Sequence, residues 1–215
     1  MELYLLDAQI ASHMHAMVRF VEISLREHIH RALAAALGER WFDARRELFD
    51  EDVLAQVDEA LEKVGARAPA GKVVAQLMLG MWVSLLSRGG RKPDGTKPAY
   101  TATLWEPALQ RAFLSRTRRD VHRLALRLNW ARNRINHCEP VVFGFPQPGL
   151  GEAGLQVRRS PRLILQDARD LTSFLDDELG GWLSRWTEID VLVNDPRAAA
   201  ALEYVASEAN VVLER

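Results

Sequence analysis

Apolar residues recur along this chain at helical spacing and almost nowhere at every second position, and that periodicity restricts the fold to packed helices. In the first long stretch Met14, Val18, Val21, Leu25, Ile29, Ala32 and Ala36 follow one another at spacings of 4, 3, 4, 4, 3 and 4. They mark one face of a helix running from Ser12 as N-cap to Gly38 as C-terminal cap. A shorter helix follows Asp50, with Val53, Leu54, Val57, Leu61 and Val64 inward and Gly65 as its stop. Segment 72–87 is apolar nearly all round and predicts a buried helix. Segments 117–138 and 161–186 predict two more, the second carrying Gly180-Gly181 as a point where it can break. Short helices at 105–113 and after Asp195-Pro196 complete the set. The expectation is an all-α fold, a bundle on helices near 12–37, 72–87, 117–138 and 161–186 with additional short helices. It is one domain across 1–215, with a core of about 12–186 and an appended helix in 187–215.

Two connections stand out. Segment 88–98, Arg-Gly-Gly-Arg-Lys-Pro-Asp-Gly-Thr-Lys-Pro, is a loop by its turn residues. Its cations and expected mobility make it a candidate for substrate contact, with a solvated loop as the other reading. Segment 140–161 is a Gly/Pro-rich connection.

Composition bounds the class. Hydrophobic content of 48% and charged content of 27% over 215 residues describe a soluble globular chain with room for a buried core. The longest apolar run, 73–86, contains Gln76 and Ser84 and is too short to span a bilayer, so no membrane partner is expected. Residues 1–15 carry Glu2 and Asp7 and lack a basic leader. One cysteine, Cys138, makes no internal disulfide, and a cytoplasmic location is the default.

The net charge of −1 conceals an asymmetry. Segment 111–134 holds eight arginines against Asp120 alone, a local +7 that leaves −8 for the remainder. Segment 43–62 is the acidic counterpart, with eight carboxylates against Arg45 and Arg46. On a helical wheel Val121, Leu124, Leu128, Ala131 and Ile135 fall between about 120° and 200° and form the core stripe. Arg116, Arg119, Arg123, Arg127 and Arg134 fall between about 0° and 80°, a cationic ridge facing away from it. Arg132 falls near about 220°, on the opposite margin of the stripe, where a guanidinium needs a partner or a ligand.

That helix ends in Arg132-Asn133-Arg134-Ile135-Asn136-His137, followed by Pro140. Asn136 sits one turn beyond Arg132 and His137 one turn beyond Asn133, so the four polar groups form a patch in two i,i+4 pairs. The residue before Pro140 should loosen the helix and leave His137 free to swing toward Arg132. A phosphate-binding cation, an imidazole and two amides within two turns suit cleavage of an RNA backbone without a metal. The other reading has His137 complementing the helix dipole while Arg132 satisfies a buried carboxylate. Glu22, beside the core stripe of the first helix, is a candidate partner for Arg132 and equally for Arg26 one turn on.

These residues resemble the signature of the Abi-like (abortive infection) proteins of the HEPN superfamily, an arginine followed four to six residues later by a histidine. Segment 130–140, Trp-Ala-Arg-Asn-Arg-Ile-Asn-His-Cys-Glu-Pro, carries it. Segment 19–26 resembles the family's opening helix, 72–86 its Gly-aromatic helix, and 104–113 also fits, so 12–140 is covered in matching order. Two positions depart from the pattern: Cys138 stands where a second histidine is common, and Asn136 where a small residue is common. The resemblance implies an HEPN-like four-helix bundle that pairs as a homodimer, two Arg…His motifs in one cleft. It also implies a metal-independent endoribonuclease of a phage-defence or toxin–antitoxin system, acting on tRNA or mRNA, with an antitoxin as a further partner.

On this reading Arg132 and His137 are catalytic, and Asn133, Asn136, Arg127 and Arg123 bind or orient the substrate. Glu22 and Arg26 support them. The rival from another class is a non-catalytic helical module that binds RNA or protein. A metal site on His137, Cys138 and Glu139 fails because adjacent helical residues diverge, and the pairs His13/His15 and His28/His30 diverge likewise. No cofactor is expected. A Cys138 nucleophile with His137 as base fails for want of an orienting third group.

Overall fold

The computed structural model describes residues 1–114, 116–151, 155–208 and 211–214. They are mainly helical, and among them no helix is long and apolar enough to cross a membrane. The chain divides into two compact units, one of 1–21, 126–173 and 177–215, the other of 22–125 and 174–176.

In the first unit, helix α1 (Glu2–Leu37) begins ten residues before the expected start at Ser12. Leu6 and Ile10 continue the stripe backward from Met14 at intervals of four, and all three are buried. Ser12 is therefore an exposed residue inside the helix and caps nothing. Helix α6 (Arg118–Asn136) contributes its later turns, with Leu128, Ala131 and Ile135 buried as the wheel requires. Helix α7 (Pro161–Leu175) is capped by Ser160, whose Oγ accepts the Leu163 N–H at 3.3 Å.

The break before α8 (Asp177–Arg185) falls at Asp176 and not at Gly180-Gly181, correcting the sequence expectation. Gly180 serves packing instead: a Cβ there would overlap Ser173 Oγ and lie 2.8 Å from the Ser173 Cα. The expected single appended helix in 187–215 is replaced by α9 (Glu188–Val193), α10 (Pro196–Glu208) and a strand. Asp195-Pro196 opens α10 as expected.

A small sheet corrects the all-helical expectation. Strands β1 (Phe145–Pro146), β2 (Gln156–Arg159) and β3 (Val211–Glu214) lie in that order, β1 antiparallel to β2 and β2 parallel to β3. Strands of two to four residues are too short for a two-residue period to register. Within the expected 140–161 connection, residues 152–154 lie outside those described.

The second unit holds the later turns of α1, with Leu25, Ile29 and Leu33 buried. It also holds α2 (Trp41–Ala44), α3 (Glu51–Val64), α4 (Ala70–Val74) and α5 (Leu79–Leu86). Its core is aromatic, the Trp41 ring lying 5.4, 5.6 and 6.0 Å from Phe42, Phe49 and Trp82. Buried His30 accepts the Trp41 indole N–H on Nδ1 at 3.1 Å, which leaves its own proton on Nε2.

Segment 72–87 is two helices, not one. The backbone extends at Met78 (φ −81°, ψ 162°), and the Trp82 indole takes the Leu77 carbonyl at 3.3 Å in place of a helical amide. The expected 105–113 helix is a π-helical turn, Thr101–Trp105, followed by a 3₁₀ turn, Leu109–Ala112.

Asp50 caps α3 through the Val53 N–H at 2.9 Å, as expected, and its other oxygen accepts the Gly90 N–H at 2.7 Å. With Glu51 N–H bonded to the Arg91 carbonyl, the start of segment 88–98 is tethered, against the expected mobility.

Candidate functional site at the end of the arginine-rich helix

Helix α6 ends by a backbone reversal. The Cys138 N–H bonds to the Ile135 carbonyl at 3.0 Å and the Glu139 N–H to the Arg134 carbonyl at 3.1 Å. Cys138 itself takes a left-handed φ of 54°. This is the Schellman arrangement, with cysteine where glycine is usual. His137 still donates its backbone N–H to the Asn133 carbonyl at 3.0 Å. The backbone at His137 is thus held, and the helix ends in an ordered reversal in place of the expected loosening before Pro140.

The residues after the reversal are held as firmly. Arg134 Nε donates to the Pro140 carbonyl at 2.9 Å and its guanidinium pairs with Glu139. Asp7 accepts the N–H groups of Val141 and Val142 at 2.7 and 2.8 Å.

On this frame Arg132 is half-buried, in agreement with its place on the margin of the stripe, while Asn133, Asn136 and His137 are exposed. Arg132 Nη1 lies 3.5 Å from Asn133 Oδ1, a long contact. The imidazole of His137 therefore stands in solvent one residue beyond the last turn, with two amide side chains on the same helix end.

The ridge is less free than its wheel positions imply. Arg127 has only 15% of its side chain exposed and lies 3.6 Å from Asp167 and 3.7 Å from Glu214. Arg159 forks both oxygens of Asp167 at 2.6 and 2.8 Å and reaches Glu214 at 2.7 Å. Burial pushes the Asp167 carboxyl above its ordinary value, against the pull of Arg159 and Arg127. Arg127, expected on the substrate-facing ridge, is a member of a buried ion network. Arg134, with 13% of its side chain exposed, is likewise engaged.

Arg123 is exposed and pairs with Asp120 at 3.1 Å, and the Arg116 guanidinium lies over the Phe174 ring at 4.6 Å. Arg119 is exposed. Arg123, Glu22 and Arg26 belong to the second unit, the last two half-buried.

Arg158 was not anticipated. Its Nη1 donates to the Phe143 carbonyl at 3.1 Å, and its pKa is pulled down by burial and then by the nearby charge of Arg134, with Glu139 opposing. Cations thus gather at the end of α6. Nothing in a helical pattern signals Arg158, because a strand delivers it. At the same end of α6 runs a groove of about 490 Å³ lined by Leu3, Tyr4, Asp7, Ile135, Cys138 and Phe143. Among the described residues no group of three or more histidines, cysteines or acids stands close enough to hold a metal ion.

Compared with known proteins, the chain matches no family model, no curated protein and no solved structure.

Proposed function

We propose that this protein is a metal-independent endoribonuclease of the HEPN type, cleaving RNA by transesterification in the cytoplasm. The carrying observation is the solvent-exposed His137 at a rigid helix end that also bears the half-buried Arg132. In the proposed reaction the ribose 2′-oxygen attacks phosphorus, the bond to the 5′-oxygen breaks, and a 2′,3′-cyclic phosphate and a 5′-hydroxyl result. His137 takes the 2′-OH proton or gives one to the departing oxygen, and Arg132 balances the charge gathering on the phosphoryl oxygens. Asn133 and Asn136 orient the phosphate or the imidazole. In this reading the long helices form a four-helix bundle, two copies pair so that one His137 acts as base and the other as acid, and an antitoxin restrains the enzyme. Arg158 supports an affinity for phosphate at this end, while the neighbouring Arg134 is already held by Glu139.

A second reading, a non-catalytic RNA- or protein-binding module, is favoured by one observation. Arg123, Arg127 and Arg134 are each paired with a carboxylate, which leaves fewer cations for a backbone-tracking ridge. The discriminating experiment incubates pure protein with tRNA and with mRNA in EDTA. The nuclease reading expects cyclic-phosphate ends from the wild type and their loss in His137→Ala at unchanged RNA binding. Cleavage at equal rates by both proteins, or by neither, rejects it.

A further inference from the structure

In the second unit a cleft of about 320 Å³ opens between α1 and the turn carrying Leu109–Ala112. Its floor is methyl groups: Ala32, Ala35 and Ala36 from one wall, Ala108 and Ala112 from the other. Positions 28, 31, 32, 35 and 36 share one face of α1; Ala32 and Ala36, expected in the core stripe, are respectively half-buried and exposed on it, because the stripe continues through Leu33 instead.

The same lining holds His28, Arg31 and Arg111. His28 Nδ1 lies 2.8 Å from the Ser24 carbonyl and donates to it, so Nε2 meets an anion as a donor only when the ring carries both protons. Arg31 is shared with Glu27 at 2.7 Å on the exposed surface, a weak competitor. Arg111 is exposed, and among the described residues no hydrogen bond or ion pair engages it.

We propose that this cleft binds a terminal phosphate monoester carried on a nucleotide. Two guanidiniums against one carboxylate, joined by the His28 ring when it is protonated, match a dianion better than a single carboxylate group, and guanidinium donors fit phosphate oxygens as a fork. The alanine floor offers flat apolar surface to the body of the ligand, and the volume is at the small end of ligand pockets, roughly 300–1,000 Å³. The site shares no residue with the end of α6 and does not rest on the nuclease reading. Two sources share this chemistry, a free mononucleotide and a phosphorylated RNA end.

The test is calorimetric titration of the full chain with AMP, with inorganic phosphate and with a short 5′-phosphorylated oligoribonucleotide. AMP is expected to bind saturably and more tightly than inorganic phosphate. Arg111→Ala is expected to weaken binding about tenfold, the loss of one charge-assisted contact. Ala35→Trp, on an exposed position, is expected to fill the cleft and abolish binding while circular dichroism stays unchanged. Binding of the oligonucleotide alone, lost in both variants, assigns the site to an RNA end. No saturable binding of any probe, or binding that both variants leave intact, overturns the proposal.

Discussion

Asp7 and Val141 are 134 positions apart in sequence, and the carboxylate of the first accepts the backbone N–H of the second at 2.7 Å. The same oxygen accepts from Val142 at 2.8 Å, so the first turns of α1 anchor the segment after the Arg132–His137 motif. Hydrogen bonds to a charged acceptor contribute more than neutral ones, and both amides are partly buried. Asp7→Ala should lower unfolding stability by about 2 kcal/mol, with Asp7→Asn, which keeps an acceptor, costing about half as much. Urea unfolding followed by circular dichroism reads the difference. Equal stabilities for Asp7→Ala and wild type would remove this anchor from the account.

Cys138 pays for its left-handed backbone, φ 54°, with the clash between Cβ and the following carbonyl. Glycine removes that clash, though it adds freedom to the unfolded chain. The net expectation for Cys138→Gly is a gain of about 0.5–1 kcal/mol, and for Cys138→Val a loss of at least about 1 kcal/mol, since a β-branched residue suits this region worst. Thermal melts of the two variants should therefore move in opposite directions. A destabilised glycine variant contradicts the cap.

The Gly180 position tests how α8 meets α7. A methyl there overlaps Ser173 Oγ and also lies 2.8 Å from the Ser173 Cα, which no rotamer change relieves. Gly180→Ala should cost about 1–3 kcal/mol, the usual penalty of overpacking. It should also disturb the tilted contact of Phe20 with Trp182, whose ring centroids lie 4.5 Å apart, and so shift tryptophan fluorescence. Gly181→Ala, whose nearest neighbour is the flexible Arg185 guanidinium at 3.4 Å, should do neither.

Much of this was legible in sequence wherever an apolar stripe ran for several turns. The buried set of α6, the half-buried Arg132, the Asp50 cap and the Gly38 and Gly65 stops all follow from spacing and cap chemistry. Illegible were the features set by distant partners. The early start of α1 depends on what covers Leu6, the break at Met78 on the Trp82 indole, and the sheet on a strand near residue 213 meeting one near 158. Arg127 shows the same limit. A wheel assigns it a direction, but only the fold reveals that Asp167 and Glu214 are waiting there.

Asp195 gives a pH prediction with a definite sign. Hydrogen bonds from the Arg197 side chain and backbone hold its carboxyl down to about 2 from an ordinary 3.8. The unfolded chain therefore binds the proton first as pH falls, so the stabilisation is complete above the ordinary value and is lost as pH drops through the folded one. The start of α10 should fray between about pH 4 and pH 2. Carboxyl NMR of wild type should titrate near the lower value, and Arg197→Ala, which keeps the backbone N–H, should raise the midpoint part of the way toward the ordinary one. A midpoint near 4 in both proteins refutes the contact.

The nuclease reading makes its sharpest prediction at Arg132, because the two proposed catalytic groups should fail differently. A base or acid contributes roughly 10²–10⁴-fold to rate through proton transfer, so His137→Ala should lower kcat by that much with KM little changed. A guanidinium that stabilises charge gathering on phosphate acts mainly in the transition state and partly in the ground state. Arg132→Lys keeps the charge but loses the fork, and should fall about tenfold to a hundredfold in kcat, with Arg132→Ala lower again and weaker in RNA affinity. Because Arg132 is half-buried at the core's edge, its alanine variant should also lose about 1 kcal/mol of stability, which Arg132→Lys largely keeps. Single-turnover cleavage of one tRNA by the four proteins, with melts in parallel, separates the effects. Should Arg132→Lys and His137→Ala both cleave at the wild-type rate, the activity belongs to other residues or to a contaminant.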